Sequence, residues 1–287
     1  MKLKNVTKVI LSAALAAGCM LGLTGCSKTP AGNISNTMVF VEGDKIAEIT
    51  IENYGTIKAK LFPDIAPNAV DNFIKLAEQG YYNGLKIHRV EKDMCIQGGS
   101  LNGDGTGGTA LIDPSGSFPI ETSLDARNFY GALGYANVDG MNTTQFYVVT
   151  AQTKTDISQY SSSLILEEAA KAKADREALE EGDPTADTLT AKETYYTNLA
   201  EMISKATDEV KEKYATIGGF PLWDGGYTVF GQVYEGFDVL NAITGAEVVT
   251  NSNGQKVKPK DDIIIESVKV IDFVMPQEGS GETGEQQ

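Results

Sequence analysis

Histidine is almost absent from these 287 residues: His88 is the only one. Cysteine is scarce too, with Cys19, Cys26 and Cys95 scattered rather than clustered. One imidazole and no cysteine pair leave only carboxylates as metal ligands, and none of them falls into a Ca²⁺-loop spacing. Basic charge is in short supply. The 24 Lys and Arg stand against 39 Asp and Glu, a formal charge of −15, which disfavours nucleic acid and anionic lipid as partners and favours solubility. Apolar length is limited at the start of the chain: Lys2, Lys4 and Lys8 precede an apolar run, Val9 to Leu23, too short to span a bilayer comfortably.

That basic head and apolar run predict an export signal over residues 1–25. It ends in Leu23-Thr24-Gly25-Cys26, which resembles the lipobox of bacterial lipoproteins. The resemblance implies lipidation at Cys26 and a protein anchored to the outer face of the bacterial cell membrane; an ordinary cleaved signal peptide is the alternative. Loss of residues 1–25 removes three lysines and no acid, taking the formal balance to −18, so membrane attachment has to come from the acyl chains. Cys95 then remains as the sole thiol. No internal disulfide is possible, and the hydrophobic core has to hold the fold.

What is present falls into blocks. Residues 26–44 are small and polar and suit a tether. Lys45 to Ile51 and Thr56 to Leu61 alternate apolar and polar around Asn53-Tyr54-Gly55, predicting a hairpin. Pro67 and Gly80 bracket a helix whose Ala66, Val70, Phe73, Ile74 and Ala77 form one apolar face. Phe129 to Asn137 and Gln145 to Thr150 predict strands, Gly236 to Ile243 a short helix, and Asp262 to Phe273 a last strand. Residues 154–217 break the pattern. Their Ala, Glu, Leu and Lys content, a break at Gly182-Asp183-Pro184 and a capping-box match at Thr190-Ala191-Lys192-Glu193 predict two antiparallel helices. Residues 274–287 are rich in Gly, Glu and Gln and predict an acidic, disordered tail.

The chemistry concentrates in Ile87 to Gly108, IHRVEKDMCIQGGSLNGDGTGG. Val90, Met94 and Ile96 suggest two short strands that place Arg89 and Gln97 side by side, ahead of a glycine-rich turn. A cation and an amide held on rigid sheet can grip a polar group beside an apolar one. This segment resembles the signature of the cyclophilin-type peptidyl-prolyl isomerases. Gly131 to Asn137 followed by Thr144-Gln145-Phe146-Tyr147, and Asp224 to Gly231, match two further motifs of that family in the same order.

The resemblance implies a mainly β fold: a closed antiparallel barrel of about eight strands, capped by two helices. It places this barrel on residues 45–153 plus 218–273, with 154–217 inserted. It implies catalysis of prolyl cis–trans isomerisation without a cofactor, Arg89 and Gln97 being the catalytic pair. Substrate would be bound by His88, Met94, Cys95, Gly105, Ala136, Asn137, Val138, Gln145, Tyr147, Leu222, Trp223 and Tyr227. Several of these depart from the family pattern. Met94 and Cys95 stand for phenylalanine and methionine, Tyr147 for phenylalanine, and Tyr227 for histidine. The family tryptophan aligns with Leu222, while Trp223 stands one place later, and the sequence does not choose between them. Phe146 is expected in the core. Partners would be proline-containing unfolded or exported polypeptides, and the helical insertion could serve a protein partner.

Two rivals are weighed. Gly103 to Gly108 satisfies G-x-G-x-x-G, yet no helical run follows, so a turn beside the groove is expected rather than a dinucleotide site. Alternatively, the chain is a membrane-tethered chaperone or scaffold that binds proline-containing segments with little catalysis.

Overall fold

The computed structural model describes residues 38–276. The expected export signal, the expected lipidation at Cys26, the expected tether as far as Thr37 and the expected tail from Gln277 fall on residues outside the described ones. Among the described residues no helix is long and apolar enough to cross a membrane.

The hairpin of β1 (Lys45–Ile51) and β2 (Gly55–Leu61) turns through Asn53, whose φ of 63° is a conformation asparagine tolerates. Next comes α1 (Pro67–Glu78), with proline supplying a preset φ where no donor is needed. Ala66 cannot cap it. The Glu121 carboxylate does so from a distance, accepting from the backbone N–H of Asn68 at 3.1 Å and of Ala69 at 2.9 Å. The chain continues through β3 (Arg89–Glu91), β4 (Cys95–Gly98), β5 (Phe118–Pro119), β6 (Ala132–Val138) and β7 (Met141–Val149). Three helices follow, α2 (Ser162–Glu177), α3 (Ala186–Ser204) and α4 (Asp208–Thr216). Then come β8 (Val229–Glu235), α5 (Phe237–Thr244), β9 (Val248–Thr250), β10 (Lys256–Pro259) and β11 (Ile265–Asp272).

Nine strands form one antiparallel sheet in the order β11-β1-β2-β8-β6-β7-β4-β3, with β5 added on β7; β9 and β10 pair separately. Alternation decides what each strand gives to the interior. Val90, Ile96, Phe146 and Val148 point into the main core with Tyr135 and Phe230, and both α1 (Phe73, Leu76) and α5 (Leu240, Ile243) bury their apolar faces there. The Asn72 side chain inside this core is satisfied, donating to the Tyr135 hydroxyl at 3.0 Å and the Thr143 carbonyl at 2.8 Å while accepting from Leu111 N–H at 2.8 Å.

Two expectations need correction. The closed barrel is a curled, open sheet. Its ends, β11 and the chain entering β3, meet in one isolated bridge, Lys86↔Ile264, with Ile87 N–H bonded to Ile263 O at 2.9 Å. Since β3 runs for three residues, no continuous ladder closes the ring. Residues 154–217, expected to be an inserted helical hairpin, hold three α-helices, not two. Thr190 is no cap but lies inside α3, its hydroxyl donating to Ala186 O at 2.9 Å. Tyr195 and Tyr214 lie on different helices, because Thr207 turns extended and its hydroxyl accepts from Val210 N–H at 3.3 Å, starting α4.

Candidate active site

The other face of the same strands builds the site. Cross-strand register sets Arg89 opposite Gln97, Gln97 opposite Tyr147, and Tyr147 opposite Gly134, one row across β3, β4, β7 and β6. Gly134 is required there, because a Cβ would lie 2.4 Å from the Tyr147 ring.

Arg89 is half-buried and held at several points. Its Nη1 donates to Gln97 Oε1 at 3.4 Å, its Nη2 pairs with Glu91 Oε2, and the same nitrogen lies 3.7 Å from Met94 Sδ. Gln97 passes the fixation on: its Nε2 donates to Gln145 Oε1 at 3.0 Å, and Gln145 Nε2 donates to Gly105 O at 2.9 Å. The guanidinium thus has a defined orientation and a permanent charge, while its buried Nε finds no hydrogen-bond partner among the described residues. His88 lies beside it. Burial, and then the Arg89 charge, lowers the imidazole to about 4, against a smaller opposing pull from Asp104, so His88 is neutral at physiological pH. Burial pushes the Cys95 thiol up to about 12, which removes it as a nucleophile.

Next to this row is a closely packed apolar cluster, termed the notch. Cys95, Tyr147, Trp223 and Val229 pack in a second cluster, with Met94, Ala136, Phe220 and Tyr227 partly exposed at its edge. The Trp223 ring stands 5.1 Å from Tyr147 and 5.1 Å from Tyr227, and Tyr227 stands 5.8 Å from Tyr147. Tyr147 meets the other two rings edge-on, at 69° and 87°, while Trp223 and Tyr227 are tilted at 38°, a packing that leaves the rings little conformational freedom. Leu222 is not part of it; it packs against the helices with Tyr195 and Leu199. The structure therefore puts Trp223, not Leu222, at the notch.

Asn137 stands opposite Asn142 in the β6–β7 pair and is fixed by its own side chain, which donates to Gly226 O at 2.8 Å and accepts from Gly140 N–H at 3.1 Å. Val138, at 77% exposure, belongs neither to the apolar cluster nor to the cavity lining.

A cavity of about 450 Å³ opens at the row, lined by His88, Arg89, Gln97, Gly103, Asp104 and Gly105 on one side. Its other wall is Asn251 to Asn253, Gln255 and Lys258, from the β9–β10 hairpin. Neither this wall nor Glu91 is among the residues expected at the site. Asn253-Gly254 between two short β-prone runs was the available hairpin signal. Gly103 to Gly108 form a turn with no helix behind it, and Gly105 flanks His88. Among the described residues, no group of three His, Cys, Asp or Glu is placed to hold a metal.

A curled antiparallel sheet with two core helices, and an outer-face row of cation, amide and aromatic, defines a cyclophilin-like fold. Solved structures agree: a Cryptosporidium parvum cyclophilin type peptidyl-prolyl cis-trans isomerase superposes with a TM-score of 0.52 over 81% of this chain and 99% of its own, at 20% identity. The same protein in the presence of the dipeptide Ala-Pro gives a TM-score of 0.51 at 21% identity, covering 79% of this chain and 98% of its own. At that identity the likeness speaks for the fold alone. Sequence goes further. The family described as "Cyclophilin type peptidyl-prolyl cis-trans isomerase/CLD" matches residues 46–162 and 176–270, and the chain belongs to it. The unmatched residues between those two stretches fall within α2. A Staphylococcus haemolyticus protein with the provisional name peptidyl-prolyl cis-trans isomerase is 36% identical over 234 residues, 81% of this chain and 94% of its own. One of the same name from Staphylococcus saprophyticus is 33% identical over 233 residues, 81% of this chain and 95% of its own.

Proposed function

We propose that the chain isomerises prolyl bonds in exported polypeptides by steadying the twisted imide on Arg89. The barrier to rotation, ~18–20 kcal/mol, reflects delocalisation of the nitrogen lone pair into the carbonyl. No bond has to break. A fixed donor near that nitrogen favours the twisted state, in which the lone pair is released, over both planar ground states. Relief of ~7 kcal/mol corresponds to roughly 10⁵-fold acceleration.

The observation that carries this proposal is the row itself, with Arg89 held by Gln97 next to the Met94, Tyr147, Trp223 and Tyr227 notch. The notch takes the proline ring, Arg89 addresses the imide, and the Asn137 backbone pairs with the peptide. Lipid on Cys26 would hold this activity at the outer face of the membrane. The test follows cis–trans exchange of an Ala-Pro peptide by NMR with the parent protein and Arg89→Ala. Exchange that is equally fast in both removes Arg89 from the mechanism. A Cys26→Ser chain that still incorporates labelled fatty acid removes the anchor.

A second proposal, binding with little catalysis, is favoured by one observation: Glu91 occupies Nη2 of Arg89 and spends part of its donor capacity. The same experiment decides it, since a binder would perturb peptide resonances without exchange above the uncatalysed rate.

A further inference from the structure

The helices of residues 162–216 do not stand clear of the groove; they are seated on the turn that carries Trp223. Asp224, the residue after it, is 2% exposed and gathers contacts from three residues. Arg127 Nη1 reaches its Oδ2 at 3.2 Å, Asn128 donates to Oδ1 through its backbone N–H at 2.8 Å and its Nδ2 at 3.2 Å, and the Tyr214 hydroxyl of α4 lies 2.8 Å from both oxygens. Both Nη atoms of Arg127, itself 3% exposed, also donate to Met202 O near the end of α3, each at 3.2 Å. From the same hub, Asn128 Oδ1 accepts from the Tyr147 hydroxyl at 2.6 Å, so one side chain links the carboxylate to a wall of the notch.

Packing supplies an independent contact. The Tyr195 hydroxyl of α3 donates to Leu222 O at 2.9 Å, and Asn198 Nδ2 donates to Gly225 O at 3.2 Å. The helix runs so close that a Cβ on Gly225 would lie 2.5 Å from Leu199 N, and one on Gly226 2.5 Å from the Tyr195 ring. Gly226 is also the residue whose carbonyl fixes Asn137. A buried carboxylate and guanidinium persist only while their remaining polar valences are filled, and here α3 and α4 fill them.

We propose that α3 and α4 are positioning elements for the prolyl notch, with Tyr214 and Tyr195 holding the Pro221–Tyr227 turn so that Trp223 and Tyr227 meet Tyr147. This rests on the notch being the proline site. Arg89 and Gln97 come from β3 and β4 and make none of these contacts, so loss of the buttress weakens substrate fit and spares the chemical step.

The experiment uses the full chain, whose single tryptophan is Trp223, so its emission reports the notch directly. Tyr214→Phe deletes a hydroxyl from Asp224, Tyr195→Phe deletes one from Leu222 O, and Arg176→Ala breaks only the α2–α3 ion pair with Glu193. For an Ala-Pro peptide, Tyr214→Phe should raise KM about tenfold with kcat within about twofold, alongside red-shifted and more quenchable tryptophan emission. Tyr195→Phe should move both in the same direction by about threefold, and Arg176→Ala should leave both at the parent values. Parental emission and KM in folded Tyr214→Phe and Tyr195→Phe would overturn the proposal, as would equal shifts in Arg176→Ala. Should Tyr214→Phe not fold, Tyr195→Phe carries the decision. A parent chain with no exchange above background would sink the proposed function, while tryptophan emission would still decide whether the helices set the turn.

Discussion

The two faces of β4 and β7 share a backbone and obey different rules. Inward, Ile96, Phe146 and Val148 meet a dry core in which volume and hydrophobicity decide the residue. Outward, Cys95, Gln97 and Tyr147 meet Arg89, Gln145 and Trp223, where a particular donor, acceptor or ring edge decides. A substitution on one face should therefore be felt as lost stability, and on the other as lost chemistry with the fold intact.

The largest expected effect tests the inner face. Phe146→Ala should cost about 4 kcal/mol of unfolding free energy in denaturant titration, since Phe146 packs on Phe73 and Tyr82 and cannot be replaced by collapse alone. Activity per folded molecule should stay near parental; a matching loss of turnover would show that the faces are not separable. Arg89→Ala tests the outer face. It should lower kcat/KM by about 10²–10³-fold in the peptide assay, with stability within about 1 kcal/mol of the parent.

A third variant sharpens the comparison at the border. His88 is held near 4 in the folded chain against an ordinary 6.5, so below 6.5 the unfolded chain takes a proton that the folded chain refuses. Its contribution to stability is therefore present above the unfolded value and is lost as pH falls from 6.5 towards 4. That amounts to about 2 kcal/mol between pH 7.5 and 5. His88→Gln should flatten this part of the stability-versus-pH curve; an unchanged slope would mean that other groups produce it. The smallest effect concerns Glu91, whose carboxylate fixes one edge of the guanidinium. Glu91→Gln should lower kcat about threefold with little change in KM, and an increase would show that the ion pair restrains Arg89 rather than aiming it.

The inner face was the more legible in the sequence. Period-two alternation located β1 and β2, the Phe73 face located α1, and Phe237, Leu240 and Ile243 located α5, because burial imposes a period. On the outer face, Arg89 and Gln97 stood out through their motif. The reach of that row to Tyr147 and Gly134 depends on register across four strands, which no local pattern carries. Trp223 could not be told from Leu222 for the same reason: a one-residue shift in a 3₁₀ turn exchanges the side facing the notch for the side facing α3. The β9–β10 wall escaped because its strands are three and four residues long. The closed ring was over-read because a single bridge, rather than a ladder, joins the ends.

The Asp224 hub also sets an order of assembly. Arg127, Asn128, Tyr214 and the Met202 carbonyl that holds Arg127 are all made before Asp224, which can join them only after the whole of α2 to α4 has been synthesised. A growing chain thus possesses Arg89, Gln97 and Tyr147 well before it has a finished cleft, and non-local closures of this kind are slow steps. The molecule should gain its activity late in its own maturation, after the helices have docked, so that an incomplete copy stays inert.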